Sequence, residues 1–321
     1  MLFSTPVAKA GLWLGWQSCT LESVLHPYRA PSFGYVLNLS DIERNVARNL
    51  KITLAYDGSE FHGWQIQPGV PTVQGTLADC LKRLTGEDIL PQGSGRTDAG
   101  VHALAQVASV RLESPIPEKN LAVALNDVLP PSVRVNSVEV VADDFHARHS
   151  AKAKTYRYRI YRGDVCPPFL ARYVYHDPYP LDEEAVIRAS EQVVGTHDFT
   201  SFAASDPDRS ERLAKAAPPW PEEGQNGAPL VNDAASHSGK LSNVRTIHSS
   251  LWARTQDELI YTVRGDGFLH HMVRNLVGTF LLVGKGSLQI GDVPTILEAR
   301  NRSAAGPTAA ACGLYLVSVE Y

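Results

Sequence analysis

The densest chemical signal in this 321-residue chain is a loop, Gly93-Ser94-Gly95-Arg96-Thr97-Asp98-Ala99-Gly100-Val101-His102. Its three glycines, spread over eight positions, let the backbone take positive φ and approach a ligand closely. Asp98 follows Arg96 by two residues. A guanidinium beside a carboxylate holds it ionised, as a nucleophile or general base requires. The bland alternative is that Asp98 only closes an Asx-turn. Dinucleotide binding is a poor fit, because the glycines follow G-x-G-x-x-x-x-G and no Walker A lysine is present.

A second signal is His146–Arg162, which carries six Lys/Arg and no acid, with Tyr156, Tyr158 and Tyr161 interleaved. On a strand, Tyr156 and Tyr158 share one face while Arg157 and Arg159 share the other. Cations meet phosphates, and aromatic faces stack on unpaired bases at about 1–3 kcal/mol per base. An edge strand kept soluble by charge would look the same. Lys154, Arg157 and Arg159, with His102 at the end of the glycine loop, are the candidate RNA contacts.

The third signal is Phe268-Leu269-His270-His271-Met272-Val273-Arg274-Asn275. As a helix it places His271, Arg274 and Asn275 on one polar face and Met272, Val273, Leu276 and Phe280 toward the core. Adjacent helical residues diverge by about 100°, and no H-E-x-x-H follows, so packing or capping explains the two histidines better than zinc. Arg274 could fix a carboxylate bidentately, or stand solvated. For Phe61-His62-Gly63-Trp64-Gln65, spacing does not choose between a packed turn and an RNA-gripping surface.

Elements must position these groups. Lys51–Asp57 alternates like a strand, Thr72 caps a helix that stops at Gly86, Ala103–Leu112 reads as a strand, Pro117–Leu129 as a helix and Val133–Val141 as a strand. Lys154–Arg162 follows as an aromatic-basic strand, then a helix over Asp182–Val194 with acids in its first turn. Strands at Val244–Arg254 and Glu258–Arg264, a helix over His270–Leu282 and a last strand at Cys312–Tyr321 complete a β-α-β-β-α-β, ferredoxin-like order. Two related α/β halves, 50–150 and 151–321, are expected, each turning a sheet face to a shared cleft. Residues 1–49 read as a poorly ordered extension, or as the product of an upstream start, since Met272 is the only other methionine. Residues 205–240, rich in Pro, Gly, Ala, Asn and Ser, read as a mobile surface insertion.

Composition narrows the function classes. Lys+Arg at 30 against Asp+Glu at 34 sets the net charge at −4, which argues against a histone-like binder but not against one basic face. Hydrophobic content of 44% and charged content of 20% exclude a mainly disordered chain. No run of about 18 apolar residues marks a membrane span. Cys19, Cys80, Cys166 and Cys312 lie far apart without a CxxC pair, which fits a reducing cytoplasm.

Taken together, AYDGSEFHGWQ (Ala55–Gln65), GSGRTDAGVHALAQV (Gly93–Val107), KTYRYRIY (Lys154–Tyr161), FLHHMVRNLVGT (Phe268–Thr279) and GPTAAACGLYLVSVEY (Gly306–Tyr321) resemble the bacterial tRNA pseudouridine synthase A family. The pieces keep the family's order over about 270 residues from Leu50 onward. The resemblance implies an α+β fold of two ferredoxin-like halves around a largely antiparallel sheet with a central cleft. It implies an isomerase converting uridine to pseudouridine at positions 38, 39 and 40 of the tRNA anticodon stem-loop. It also implies Asp98 as the catalytic carboxylate, Tyr156 against the target base, Arg274 paired with Asp98 and Arg96 holding the displaced nucleotide. A homodimer without metal or organic cofactor is the family's form. Three departures stand out: residues 1–49 have no counterpart, the 205–240 loop is longer, and Ala310 replaces a usual proline. Two other readings compete. A carboxylate-dependent base glycosidase normally needs a second acid to handle water, and Asp57 is the acid weighed for that role. A non-catalytic RNA-binding module would carry an RNP aromatic pattern, and that pattern is missing.

Overall fold

The computed structural model describes residues 47–204 and 242–321. The expected insertion at 205–240 lies outside them, as does the expected extension up to residue 46. That extension ends earlier than its expected boundary, because Arg48–Leu50 already belong to the first strand. The Asn49 side chain donates to the carbonyls of Ala142 and Phe145, which ties this strand start to the chain beyond the fourth strand.

Local rules account for most elements. β1 (Arg48–Tyr56) alternates buried and half-buried positions over most of its length. α1 (Val73–Thr85) begins where the Thr72 hydroxyl accepts from the Gly75 amide, and ends at Gly86 in the left-handed region. β2 (Gln92–Gly93) and β3 (His102–Leu112) follow. α2 (Glu118–Val128) starts behind Pro117 and leads to β4 (Val133–Val140). β5 (Ala153–Tyr161) and the short β6 (Tyr175–His176) precede α3 (Glu183–Glu191), whose cap is the Asp182 carboxylate accepting from the Ala185 amide. β7 (Gly195–Asp198), β8 (Val244–Thr255) and β9 (Glu258–Gly265) lead to α4 (Met272–Gly284), α5 (Asp292–Ala299) and β10 (Leu314–Glu320).

Two helices depart from expectation. α4 starts at Met272, so His270 and His271 precede it. α5 is an element the sequence analysis does not name; Pro294 sits in its first turn, where a missing N–H loses no helical bond.

The strands form one sheet in the order β4-β1-β3-β10-β5-β9-β8-β7, with β2 beside β3 and β6 beside β5. Neighbours are antiparallel except β3 with β10 and β5 with β6. The halves expected on either side of residue 150 therefore share a sheet, because β10, the last strand in the chain, sits between β3 of the first and β5 of the second. Pairing sets Tyr315 opposite His102, and Leu316 opposite Tyr156, so the two candidate sites of the two halves are locked across three adjacent strands. α1 packs on α2, and α3 on α4. Leu50, Ile52, Leu54, Leu77, Leu81 and Leu121 belong to one hydrophobic core with Tyr158, Tyr261, Leu276 and Phe280. Each such burial contributes roughly 1.5–3 kcal/mol.

α4 is pressed against the chain before β10. A Cβ on Gly278 would lie 1.8 Å from the Pro307 carbonyl oxygen. Asn275, expected on a solvated polar face, is instead fully buried: it donates to the Phe202 carbonyl and accepts from Arg302 and Thr308. Gly278→Ala forces this loop off the helix, so urea unfolding is expected to show a loss of about 1–3 kcal/mol, the usual cost of overpacking. A variant as stable as the parent would mean the 306–310 chain is free to retreat.

Candidate active site

A buried polar network holds the glycine loop. The Ser94 amide donates to the Val107 carbonyl, and the Ser94 hydroxyl donates to Gln106 Oε1 at 2.7 Å. Gln106 Nε2 donates to the Gly95 carbonyl at 3.0 Å, and the Thr97 and Tyr56 hydroxyls meet at 2.8 Å. Burial pushes the Tyr56 phenol up to about 12, so it stays a neutral partner. The glycines act differently from the expectation of shared positive φ. Only Gly100 has it, at 78°. Gly93 is required because the Trp64 indole lies 2.5 Å from where a Cβ would stand. Trp64 and Phe61 are themselves core, which settles their run as a packed turn.

Asp98 thus hangs from a rigid frame, with its side chain 17% exposed. Arg274, in the first turn of α4, reaches it across 176 residues of sequence: Nη1 donates to Oδ2 at 2.9 Å. Arg274 Nε donates to the Ala309 carbonyl at 2.7 Å, so both ends of the guanidinium are engaged. His270 Nε2 lies 3.4 Å from Oδ1, and His271 Nε2 lies 3.4 Å from Oδ2. Burial alone would push the Asp98 carboxyl up. The hydrogen bond from His270, the charge of His271, and the hydrogen bond and charge of Arg274 outweigh it and hold the group below the usual carboxylate range. The site keeps a half-buried carboxylate ionised.

The two histidines are what reading the sequence as a continuous helix missed. The signal was the Gly265-Asp266-Gly267 stretch just before them, which delays the helix and leaves both imidazoles on the turn that precedes it. Asp98, His270 and His271 bring three donor atoms within 4.8 Å of one another. Arg274 shares the same carboxylate oxygen, and a guanidinium inside a dication's ligand sphere is repelled. The donor set fits a carboxylate gripped by cations and imidazoles better than a metal.

β5 divides the remaining candidates by face. Tyr156 is buried, packs edge-on against Phe268 at 4.9 Å, and feels the Asp98 charge. Burial first, then Tyr56 and Asp98, push its phenol far up, so it stays protonated. Lys154 is on the same face, and its ammonium donates to the Ser94 carbonyl at 2.6 Å. Burial, then Arg148 and Arg245, push it down to about 8. Lys154 is a strut for the glycine loop. Arg96 is exposed, with Nε donating to Gln65 Oε1 at 3.2 Å.

Two candidate RNA contacts are engaged within the protein. Arg159 lies on the opposite face of β5 and is held bidentately by Glu258 at 2.7 and 2.6 Å. His102 is 2% exposed, stacked on Tyr315 at 4.7 Å, and accepts from the Gly58 amide at Nδ1. Its ring is closed in by Tyr315 and Tyr173. Arg157 shares Arg159's face by strand alternation, away from Asp98.

A family model described as tRNA pseudouridine synthase matches residues 52–150 and 232–321. The chain belongs to the tRNA pseudouridine synthase family. A protein named tRNA pseudouridine synthase A from Solibacter usitatus is 48% identical over 274 residues, covering 85% of this chain and 100% of that one. Its namesake from Moorella thermoacetica is 45% identical over 274 residues, covering 85% of this chain and 99% of that one. The namesake from Bacillus licheniformis is 42% identical over 276 residues, covering 85% and 98%. Among solved structures, a Cbf5-Nop10-Gar1 complex overlaps at a TM-score of 0.28 and 12% identity, covering 72% of this chain and 44% of that one, too slight an overlap to bear on the fold. In this tRNA pseudouridine synthase, Asp98 lies in the first matched segment and His270, His271 and Arg274 in the second, so the site is the place where the two segments meet.

Proposed function

We propose that the chain isomerises uridine to pseudouridine at positions 38, 39 and 40 of the tRNA anticodon stem-loop, with Asp98 as the nucleophile. Tyr156 lies against the target base, Arg96 helps to hold the displaced nucleotide, and Arg274 keeps Asp98 charged and aimed. The observation that carries this reading is the 2.9 Å pair between Asp98 and Arg274, which assembles a poised carboxylate from two distant segments. The enzyme works as a homodimer in the cytoplasm, a reading supported by its resemblance to the tRNA pseudouridine synthase A family. No helix among the described residues is long and apolar enough to cross a membrane.

The reaction breaks the N1–C1′ bond, turns the uracil and joins C5 to C1′. A proton leaves C5 and N1 gains one, so neither an oxidant nor net water is consumed. The base must first leave the stack, at a cost of a few kcal/mol, and aromatic contact with Tyr156 offsets part of it. An ionised carboxylate can then attack C1′ or C6. As uracil leaves, negative charge collects on its carbonyls, and a phenol that stays protonated is a suitable donor to it.

The deciding assay uses tRNA labelled with tritium at uracil C5. Isomerisation releases the label while the base stays on the chain, a glycosidase frees whole uracil, and a mere binder does neither. Replacing uridines 38, 39 and 40 by cytidine should abolish release, and release that persisted would place the substrate elsewhere. Tyr156→Phe keeps the ring and its contact with Phe268, so affinity for tRNA holds while the single-turnover rate falls on the order of 10², as for a lost oxyanion donor. An unchanged rate would reduce Tyr156 to a stacking platform.

A further inference from the structure

We propose that His270 and His271 are positioning residues that clamp the Asp98 carboxylate from the start of α4, leaving Oδ1 as the oxygen that attacks the substrate. The clamp is asymmetric. Oδ2 carries Arg274 at 2.9 Å and His271 at 3.4 Å, whereas among the described residues Oδ1 has His270 at 3.4 Å. One hydrogen bond and a second nitrogen at ion-pair distance gather at Oδ2, against a single nitrogen at Oδ1, which is the less occupied of the two oxygens among the described residues.

The backbone supports a positional role over a structural one. His271 stands at the N-cap of α4 with φ 59° and ψ 4°, in the left-handed region, and makes no side-chain cap hydrogen bond. A residue chosen to start a helix adopts extended dihedrals and caps the free amides. His271 does neither. A non-glycine side chain in that region is strained, and such strain persists only where the surroundings enforce it. The surroundings are visible: the Ala204 amide donates to the His270 carbonyl, the Met272 amide to the Leu269 carbonyl, and the Asn275 amide to the His271 carbonyl. The two imidazoles lie 4.0 Å apart, centroid to centroid, and brace each other. The unusual backbone turns both rings toward the carboxylate.

Charged and titratable groups around the pair come from four elements: Asp98 on the glycine loop, Arg274 on α4, Arg302 on the turn after α5 and Tyr156 on β5. Burial pushes the His271 imidazole down, Asp98 pulls it back, and His270, Arg274 and Arg302 push it down further.

This inference rests on Asp98 being the reacting carboxylate, and the test separates the two. His271→Gly removes the imidazole and suits the left-handed backbone, so the melting temperature should be equal or higher. Its affinity for tRNA is unchanged, and its single-turnover rate falls about 10–100-fold, as expected when a reacting group is misaimed by a fraction of an ångström to one ångström. With one neighbour that lowers the Asp98 pKa gone, the acid limb of its rate–pH profile moves to higher pH. His271→Gln restores a donor at the Nε2 position and recovers most of the rate. His270→Ala and His270→Gln behave in the same order. A His271→Gly enzyme with the parental rate and an unmoved acid limb overturns the proposal, as does a His271→Gln enzyme no faster than His271→Gly. Turnover by Asp98→Asn would instead sink the assignment of Asp98, whatever the histidine variants do.

Discussion

Asp98→Asn binds tRNA within about threefold of the parent, a difference under 1 kcal/mol, and forms no detectable pseudouridine, a rate loss on the order of 10⁴ or more for a removed nucleophile. The amide is isosteric and fills the same space between the glycine loop and α4, so the surroundings of the side chain are unchanged. What disappears is the anion. Arg274 then faces a neutral carbonyl, and no oxygen has the charge to attack a sugar or uracil carbon. Filter binding and tritium release on the same preparation check both halves of the expectation. Measurable turnover would remove Asp98 from the nucleophile's role.

Arg274→Met is expected to lower the single-turnover rate by about 10²–10³ through lost preorganisation, and to lower stability by about 1–3 kcal/mol. The cost stays below the 3–5 kcal/mol of a broken buried pair because Asp98 can take up a proton and His270 and His271 remain. The pH dependence has a definite sign. In the parent the Asp98 pKa is held below its unfolded value. Its stabilising contribution is therefore present above the unfolded pKa and lost as pH falls through the folded one. Without Arg274 the folded pKa rises, so the variant is the less stable at neutral pH. The gap from the parent narrows in acid, and the acid limb of activity moves up. Arg274→Lys should not rescue, since an ammonium cannot bond Ala309 and Asp98 in the fork that the guanidinium spans. Urea midpoints between pH 4 and 8 beside single-turnover rates read both effects. A variant with parental midpoints and an unmoved acid limb would mean that the histidines alone hold Asp98 ionised.

The local grammar of the chain was legible without any fold. Thr72 and Gly86 bracket α1, Pro117 opens α2, Asp182 caps α3, and alternation marks β1, β5 and β9, because caps and periods act within a few residues of one another. The motifs on these elements also sufficed to recognise the family, and with it the chemistry expected at Asp98. Spacing could not show which cations stand around that carboxylate, since its partners lie on the far side of the chain. Nor could it show which basic residues of β5 face the site. Alternation divides Tyr156 from Arg157 and Arg159, but only the docking of Lys154 onto Ser94 says which face is which. His102 looks like part of the loop in one dimension, and only the pairing of β3 with β10 turns it onto Tyr315. His270 and His271 read as helical until the left-handed turn at His271 puts them outside α4. The sequence by itself determined most of the elements, the glycine loop and the family, because these depend on interactions along a few bonds of backbone. Tertiary structure alone decided how Asp98 is gripped, because that depends on β10 joining two halves into one sheet and on α4 being pressed home against the chain before it.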